Sequence, residues 1–510
     1  MKKIPTLFER EFKDHKVVKV LPKVHPGMEW VLEGEGIAKI DNFTIFIDGA
    51  IKGEKCKILI VKITSSHAFG KLLELIEQSP VRCTPDCETY KRCGGCNLRH
   101  IDYEETLNIK QQKVQNLINK TLTKKVEVEK TLGMGNPYNY RNKAQYPVGT
   151  NKNGEKVFGV FAKRTHEIIP IKECKIQKEI SYEIANYILD YIKKNNISVY
   201  NEKKQTGLVR HIVTKVGIQT NEIMCIIVIN GKELPHELTL ANDIIDKFPM
   251  VKTVVKNINT KNTNVIMGQK NEAIVGRGYI TDVLGDYIFK ISPMSFYQVN
   301  PIQAEALYNI AIEKANITKD DVVCDLYCGI GTIGIFASKF AKKVYGIEIV
   351  KQAIEDAHGN AKLNNVNNIE FICGDVEQAF DKLIKKEKVK PSVVIVDPPR
   401  KGLDNNTIEN IMKLNVARVV YISCNPATMV RDLKMMEEEL YRLLFKTIDE
   451  LPDKCRNIFL LHLEGKGNEE IALLLNLSIL TVKTQKKRAM SYIRERLGRV
   501  YFVMMSLGII

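Results

Sequence analysis

Three different rhythms of apolar and polar residues divide the chain. Between residues 15 and 80, short runs alternate or cluster apolar side chains at Val17–Leu21, Ile37–Ile40, Phe43–Ile47 and Cys56–Lys62. Gly34-Glu35-Gly36, Asp48-Gly49 and Lys52-Gly53 break them up, which predicts a small barrel of about five strands. Barrels of this size often bind oligonucleotides on one face; the alternative is a barrel that only packs on its neighbours. Asp102–Thr121 places Leu107, Val114, Leu117 and Ile118 at helical spacing. Strand-like segments then return at Val157–Phe161, His166–Ile171, Arg210–Val216, Ile223–Ile229 and Tyr287–Ile291, with one helix near Ser181–Lys194. From about Asp320, apolar runs at Val322–Leu326, Lys343–Ile347, Ile369–Cys373, Ser392–Val396 and Arg418–Ser423 alternate with helical stretches. That alternation predicts a parallel sheet with helices on both faces. Past about Glu438 the strand pattern ends, and Leu440–Leu497 reads as several short helices.

The expected architecture is therefore α/β overall. It comprises a β-barrel over residues 1–80, a central α+β domain over 81–290, a Rossmann-like domain over 291–438 and a helical domain over 439–510. The helix near residues 101–120 is expected to pack on the parallel-sheet domain.

Charge narrows the partner. Lys and Arg number 76 against 60 Asp and Glu, a net +16, which suits a polyanion such as nucleic acid. No run of about 18 apolar residues is present, so a membrane partner is not expected. The N-terminus carries acids and lacks an apolar core of the signal type. Twelve cysteines in 510 residues are too few for a disulfide scaffold, so a reducing, cytoplasmic setting is expected.

Candidate chemistry gathers at the strand ends of the parallel sheet. Val322–Leu326 runs into Tyr327-Cys328-Gly329-Ile330-Gly331-Thr332, a glycine-rich turn opening a helix, where backbone can approach a ligand. The next strand ends in Gly346-Ile347-Glu348, an acid placed to hold a ribose diol, and the third in Gly374-Asp375, an acceptor for an adenine amine. These point to a nucleoside-type cofactor. Gly329, Gly331 and Gly334 also fit the dinucleotide spacing, but the later strands argue against NAD. Strand four ends in Asp397-Pro398-Pro399-Arg400-Lys401-Gly402, stiffened by its prolines, and strand five in Ser423-Cys424-Asn425-Pro426. Cys424 is thus placed to act as a thiolate nucleophile; the plainer alternative is a small core residue. Further upstream, Cys83-x3-Cys87-x5-Cys93-Gly-Gly-Cys96 and the distant Cys174 suit wrapping around a metal. Spacing alone leaves open a zinc site of Cys83, Cys87, Cys93 and Cys96 or an iron–sulfur cluster.

The set Phe296–Asn300 (FYQVN), Asp325–Thr332 (DLYCGIGT), Gly346–Glu348, DPPRKG and SCNPAT resembles the RNA uracil-C5 methyltransferases, as do Tyr140–Val148 (YRNKAQYPV) and Gly207–Val213 (GLVRHIV). The resemblance spans roughly residues 15–438. It implies an RNA-binding TRAM barrel at the N-terminus, S-adenosyl-L-methionine as methyl donor, and Cys424 as the nucleophile that adds to uracil C6. It also implies cofactor contacts by Gln298, Tyr327, Thr332, Glu348, Asp375 and Asp397, with Asp397 also orienting the uracil. Members with a [4Fe–4S] cluster carry the layout matched by Cys87, Cys93, Cys96 and Cys174, which leaves Cys83 outside. That layout favours ribosomal RNA of the 23S type as substrate, with tRNA as the alternative.

The resemblance breaks off near Met436–Glu438. Two further strands and a motif bearing the glutamate that removes the C5 proton are expected there and are absent, so the methyltransferase domain reads as truncated. Glu437, Glu438 and Glu439 match no family position. Leu440–Gly498 instead resembles region 4 of an extracytoplasmic-function-type RNA polymerase sigma factor. Asn468–Asn476 and Thr481–Leu497 form its helix-turn-helix, and Lys483, Lys486, Lys487, Arg488, Arg494 and Arg496 lie on the second helix. This implies DNA or RNA polymerase as a further partner, and a competing reading as a transcription module carrying a methyltransferase remnant. A joining event (rearrangement, frameshift or assembly error) is favoured over a native fusion.

Overall fold

The computed structural model describes residues 16–19, 34–40, 43–414 and 416–507. Strands β1 (Lys16–Lys19), β2 (Glu35–Ile40), β3 (Phe43–Asp48), β4 (Lys55–Ile63) and β5 (His67–Glu77) form one sheet in the order β1-β4-β5-β3-β2. The end of the first sequence-predicted strand, Val20–Leu21, lies outside the described residues. Ile45, Ile47, Cys56, Ile58 and Ala68 fill the interior of this sheet. An ion pair ties it to the segment that carries the clustered cysteines. The Arg82 guanidinium donates to Glu54 Oε2 (2.7 Å) and Gly49 O (2.6 Å), and the Glu54 side chain is fully buried.

Helix α1 (Tyr103–Thr121) starts at Asp102, whose carboxylate accepts the Glu104 N–H at 3.0 Å. A seven-stranded mixed sheet comes next in the chain. It comprises β6 (Lys143–Thr150), β7 (Lys156–Phe161), β8 (Ile168–Pro170), β9 (Val209–Val216), β10 (Ile223–Ile229), β11 (Val251–Ile258) and β12 (Lys270–Gly276), in the order β12-β11-β10-β9-β6-β7-β8. Two helices lie between its strands, α2 (Glu179–Lys194) and α3 (Glu237–Lys247), where the sequence pattern gave one. Leu240, Ala241 and Ile244 of α3 are buried, but Leu238 on the other side is exposed, and eleven residues leave a short periodic signal. β10 is apolar and buried throughout because both faces are covered. Met224, Ile226 and Val228 enter one core, and Ile223, Cys225, Ile227 and Ile229 the other.

The first of those cores is shared with the parallel-sheet domain. A hairpin, β13 (Ile280–Leu284) and β14 (Tyr287–Ile291), and helix α4 (Pro301–Ala315) lead into it. β15 (Val322–Leu326), β16 (Lys343–Glu348), β17 (Ile369–Cys373), β18 (Val393–Val396) and β19 (Arg418–Tyr421) pair in parallel in the order β17-β16-β15-β18-β19. Helices α5 (Thr332–Ser338), α6 (Lys351–Leu363), α7 (Val376–Lys385) and α8 (Asn405–Lys413) connect the strands. Val323, Val393 and Ile395 face the shared core, whereas Cys324, Val394 and Val396 face a second one under α7 and α8.

After β19 the chain enters α9 (Pro426–Asp449), a single helix of 24 residues. Val430 near its start packs on Leu117 and Ile118 of α1, while Leu440, Leu444 and Ile448 near its end open the core of the C-terminal helices. These are α10 (Asp453–Leu463), α11 (Asn468–Leu475), α12 (Ile479–Leu497) and α13 (Arg499–Leu507). α11 ends on Asn476 in the left-handed region (φ 51°), and the Ser478 hydroxyl caps α12 by accepting the Thr481 N–H at 3.1 Å. Ile458, Ile471, Ala472 and Val482 fill the space beneath that turn, giving a packed helix-turn-helix.

Candidate active site

The turn after β15 is wound tightly. Tyr327 (φ 66°), Gly329 (φ 55°) and Gly331 (φ 82°) all lie in the left-handed region, which costs a side-chain-bearing residue free energy but suits glycine. Glycine is also needed for space: a Cβ on Gly331 would stand 2.7 Å from the Phe371 ring. Glu348, at the tip of β16, accepts the Gly329 N–H through one oxygen (3.2 Å) and the Val350 N–H through the other (2.9 Å). Its carboxylate is thereby fixed beside the glycine turn. Asp375 lies just past β17, and its Oδ1 caps α7 by accepting the Glu377 N–H at 3.1 Å. The Tyr327 ring is half-buried; burial pushes its hydroxyl up to about 12, with Asp404 and Asp375 nearby adding to the rise.

Four chain segments converge on the Tyr308 hydroxyl of α4. Thr332 Oγ1 donates to it at 3.4 Å, and the Gln298 side chain reaches the same hydroxyl. Gln298 Nε2 also donates to Asp397 Oδ2 at 3.5 Å. Burial raises the Asp397 carboxyl to about 6, so it holds a proton further toward neutrality than an ordinary carboxylate. Gln298, Thr332 and Asp397, which are 99 residues apart at the extremes, thus meet in one place. Gln298 is held from below, because the Asn142 side chain donates to its carbonyl at 2.9 Å.

Two members of this cluster are absent from the sequence-based candidates. Tyr308 carries no local signal. Asp325 does: it is a charged residue inside the apolar strand Val322–Leu326. Its carboxyl is fully buried, and neither oxygen has a hydrogen-bond partner among the described residues. Burial raises it to about 8; the Gly334 amide dipole opposes that rise without reaching hydrogen-bond geometry.

Cys424 lies two residues beyond the last β-sheet hydrogen bond of its strand, Ile422 N–H to Val396 O at 2.8 Å. Its side chain is exposed at the carboxyl edge, on the loop neighbouring that of Asp397. Asn425 fixes the loop by donating to Arg400 O at 3.2 Å and capping α9. Glu437, by contrast, is occupied: it accepts the Thr123 N–H at 3.2 Å and the Lys434 ammonium at 2.8 Å. Glu439 accepts from Arg442 at 2.6 Å.

The cysteines upstream separate into two groups. Cys96, raised to about 11 mainly by burial, feels Cys174, Cys93 and Cys87, and Cys93 feels Cys174 and Cys87. Cys83 instead donates to Arg99 O at 3.4 Å, with Asp102, Asp86 and Arg82 as its charged neighbours. The loop carrying Cys93 is pinned to the β7–β8 connection by Gly94 N–H to Phe161 O (3.4 Å) and Lys163 N–H to Arg92 O (3.0 Å). Among the described residues no three His, Cys, Asp or Glu side chains stand in closed metal-binding geometry.

A parallel sheet in this order, with a glycine-rich turn and an acid at the second strand tip, has the form of a nucleoside-cofactor fold, and it carries an exposed cysteine past its fifth strand. Comparison with known proteins agrees and is more specific. The profile of the tRNA (Uracil-5-)-methyltransferases matches residues 102–444, the TRAM domain profile matches 32–73, and that of sigma-70 region 4 matches 441–493. An uncharacterized RNA methyltransferase of Clostridium tetani is 46% identical over 412 residues, 81% of this chain and 89% of its own length. A second, from Caldanaerobacter subterraneus, is 44% identical over 421 residues, 82% of this chain and 93% of its own. The crystal structure of Pyrococcus abyssi tRNA (uracil-54, C5)-methyltransferase in complex with S-adenosyl-L-homocysteine is similar with a TM-score of 0.64 and 26% identity, covering 82% of this chain and 93% of that one. The chain belongs to the RNA (uracil-5-)-methyltransferase family and carries a sigma-70 region 4-like segment at its C-terminus.

Proposed function

We propose that this protein methylates C5 of uracil in RNA through a covalent adduct on Cys424, with S-adenosyl-L-methionine as donor. The observation that carries the reading is the exposed Cys424 beside the Asp397 loop, within the fold shared by the family. Uracil C5 is a weak nucleophile. Attack of the Cys424 thiolate on C6 moves the ring electrons onto C5 and O4, and C5 then takes the methyl group. The bound donor supplies that methyl as a sulfonium. Loss of the C5 proton finally lets the ring expel the thiolate. Gln298, Thr332 and Asp397, with Glu348 and Tyr327 at the glycine turn and Asp375 at the third strand end, are the residues we assign to donor binding. With its carboxyl raised to about 6, Asp397 is suited to hydrogen-bonding the uracil edge. The base must leave the RNA stack to reach this crevice.

Proton removal is the weak step. Of the carboxylates at the end of the family match, Glu437 and Glu439 are held by Lys434, Thr123 and Arg442, and Glu438, exposed on α9, matches no family position. The adduct should therefore form faster than it resolves. Incubating the full chain with uridine-containing RNA and donor should give a denaturation-resistant protein–RNA complex that Cys424→Ala does not form. Methylation by Cys424→Ala would overturn the mechanism, and rapid multiple turnover by the wild-type chain would overturn the stalled step.

Cys87, Cys93, Cys96 and Cys174 are the residues we assign to a [4Fe–4S] cluster from their match to the family's cluster-bearing layout; Cys93 and Cys96 each neighbour Cys87 and Cys174, whereas Cys83 faces Asp102, Asp86 and Arg82. Its role is to tie residues 87–96 to the central sheet. The same four-thiol layout favours ribosomal over transfer RNA as substrate, and parallel assays on 23S fragments and tRNA transcripts decide between them. The reducing cytoplasm is the setting consistent with twelve free cysteines. A second reading, DNA contact by α12, is favoured by its exposed Lys483, Lys487, Arg488 and Arg494.

A further inference from the structure

The first turns of α9 do more than extend the chain past the nucleophile. Asp432 lies in the second turn of this helix, and its carboxylate is fully buried. Its Oδ2 accepts the Leu403 N–H at 2.7 Å and the Tyr421 hydroxyl at 2.7 Å. Its Oδ1 accepts the Arg431 guanidinium at 2.6 and 2.8 Å, and Arg431 in turn donates to Lys401 O at 2.8 Å. Leu403 closes the loop that begins at Asp397, while Tyr421 ends the strand that leads to Cys424. One carboxylate therefore ties together the loop of the orienting acid and the strand of the nucleophile. Gly402 leaves room for this: a Cβ there would stand 2.4 Å from Asp432 Oδ2.

We infer that Asp432 is a positioning residue of the methyl-transfer site, which sets the separation of Asp397 and Cys424 by locking their two loops to α9. The inference rests on the methyltransferase reading and deepens it. A misplacement of about 1 Å between reacting groups can cost about a hundredfold in rate. All four hydrogen bonds to Asp432 come from donors, so a side-chain amide cannot replace the carboxylate without aiming an N–H at another donor.

The test compares wild type with Asp432→Asn and Tyr421→Phe as full chains, using RNA carrying 5-fluorouridine, in which fluorine at C5 blocks adduct resolution. For Asp432→Asn, the rate constant of adduct formation at saturating RNA should fall at least tenfold, with the half-saturating RNA concentration within twofold of wild type. Tyr421→Phe keeps the Leu403 bond and should stay within threefold. A second readout needs no RNA: peptide-resolved alkylation by iodoacetamide. The Cys424 rate should change at least threefold in Asp432→Asn, while exposed Cys373, at a different strand end, alkylates as before. An Asp432→Asn chain that is folded by circular dichroism yet matches wild type in both rates overturns the inference. If wild type forms no adduct, the methyltransferase reading fails and the alkylation ratio alone decides this one.

Discussion

Asp325 offers the sharpest physical test of the site. Its carboxyl is buried beneath the glycine turn without a hydrogen-bond partner among the described residues, and its pKa stands at about 8 against an ordinary value of 3.8. The folded protein therefore holds a proton that the unfolded chain releases above about pH 4. Stability is greatest below that pH and is lost as pH rises toward 8, above which both states are ionised and the loss stops. Four pH units at about 1.4 kcal/mol each set an upper bound of about 6 kcal/mol. Relaxation around a buried charge trims such figures, so we expect about 2–4 kcal/mol. Asp325→Asn removes the charge and keeps the shape. Urea unfolding of both chains between pH 5 and 9, read by hydrogen exchange of the peptide spanning β15 and the glycine turn, gives the difference directly. Asp397 is raised in the same direction and its charge adds to the Asp325 rise, so the difference between the two chains reports this coupled pair rather than Asp325 alone. The Asn variant should gain steadily on wild type from pH 5 to 8 and then level off. A difference that does not vary with pH would refute the reasoning, and a wild-type chain that gains with pH would reverse it.

The cysteine cluster and the basic helix make two further outcomes testable. Anaerobically purified protein should show the broad visible absorption of an iron–sulfur cluster. Cys174→Ser should abolish it and Cys83→Ser should leave it, because only Cys174 interacts with the other thiols; equal loss in both would return the site to the zinc alternative. Reversing Lys483 and Lys487 on the exposed face of α12 to Glu should weaken duplex DNA binding about tenfold and flatten its salt dependence by about one unit of slope for each phosphate no longer engaged, with RNA adduct formation unchanged. Equal DNA affinity in the two chains would remove DNA as a partner.

What the sequence revealed depended on whether a residue's role was local. The five parallel strands stand within a residue or two of the predicted spans, because each is a short apolar run between turn-forming residues. The glycine turn and Glu348 were legible for the same reason, since strand, turn and helix succeed one another within a few positions. Helix α4 was not, although Asn300 caps it and Pro301 opens it, because apolar and polar positions are mixed around it. Asp397 was legible as the end of a strand, but Gln298 became a candidate only through a resemblance, since the contact joining the two closes 99 residues of chain. Tyr308 and Asp432 went unnoticed because their importance lies in partners brought by other strands, and no spacing encodes that. Asp325 was visible as a charge in an apolar strand; what was missing was the knowledge that no described residue pairs with it.

The junction of the two families is mechanically consistent. Their profiles meet at residues 441–444, inside α9, which runs without a break from Pro426 to Asp449. Met436 packs on the methyltransferase core, and Leu440, Leu444 and Ile448 on the C-terminal core, each four residues from the last. A join shifted by one residue would turn the second half of the stripe by about 100° and expose it. Met412 of α8 packs against both cores, so the helix-turn-helix domain is docked on the methyltransferase domain. The sheet is treated differently. β19 pairs only with β18 among the described residues, and Val419 on it is 36% exposed. The join thus preserves the half of α9 that caps and brackets the Cys424 loop, while leaving the fifth strand as an open edge. Under the mechanism proposed above, adduct formation draws on the first of these and not on the second, so the join is expected to spare it.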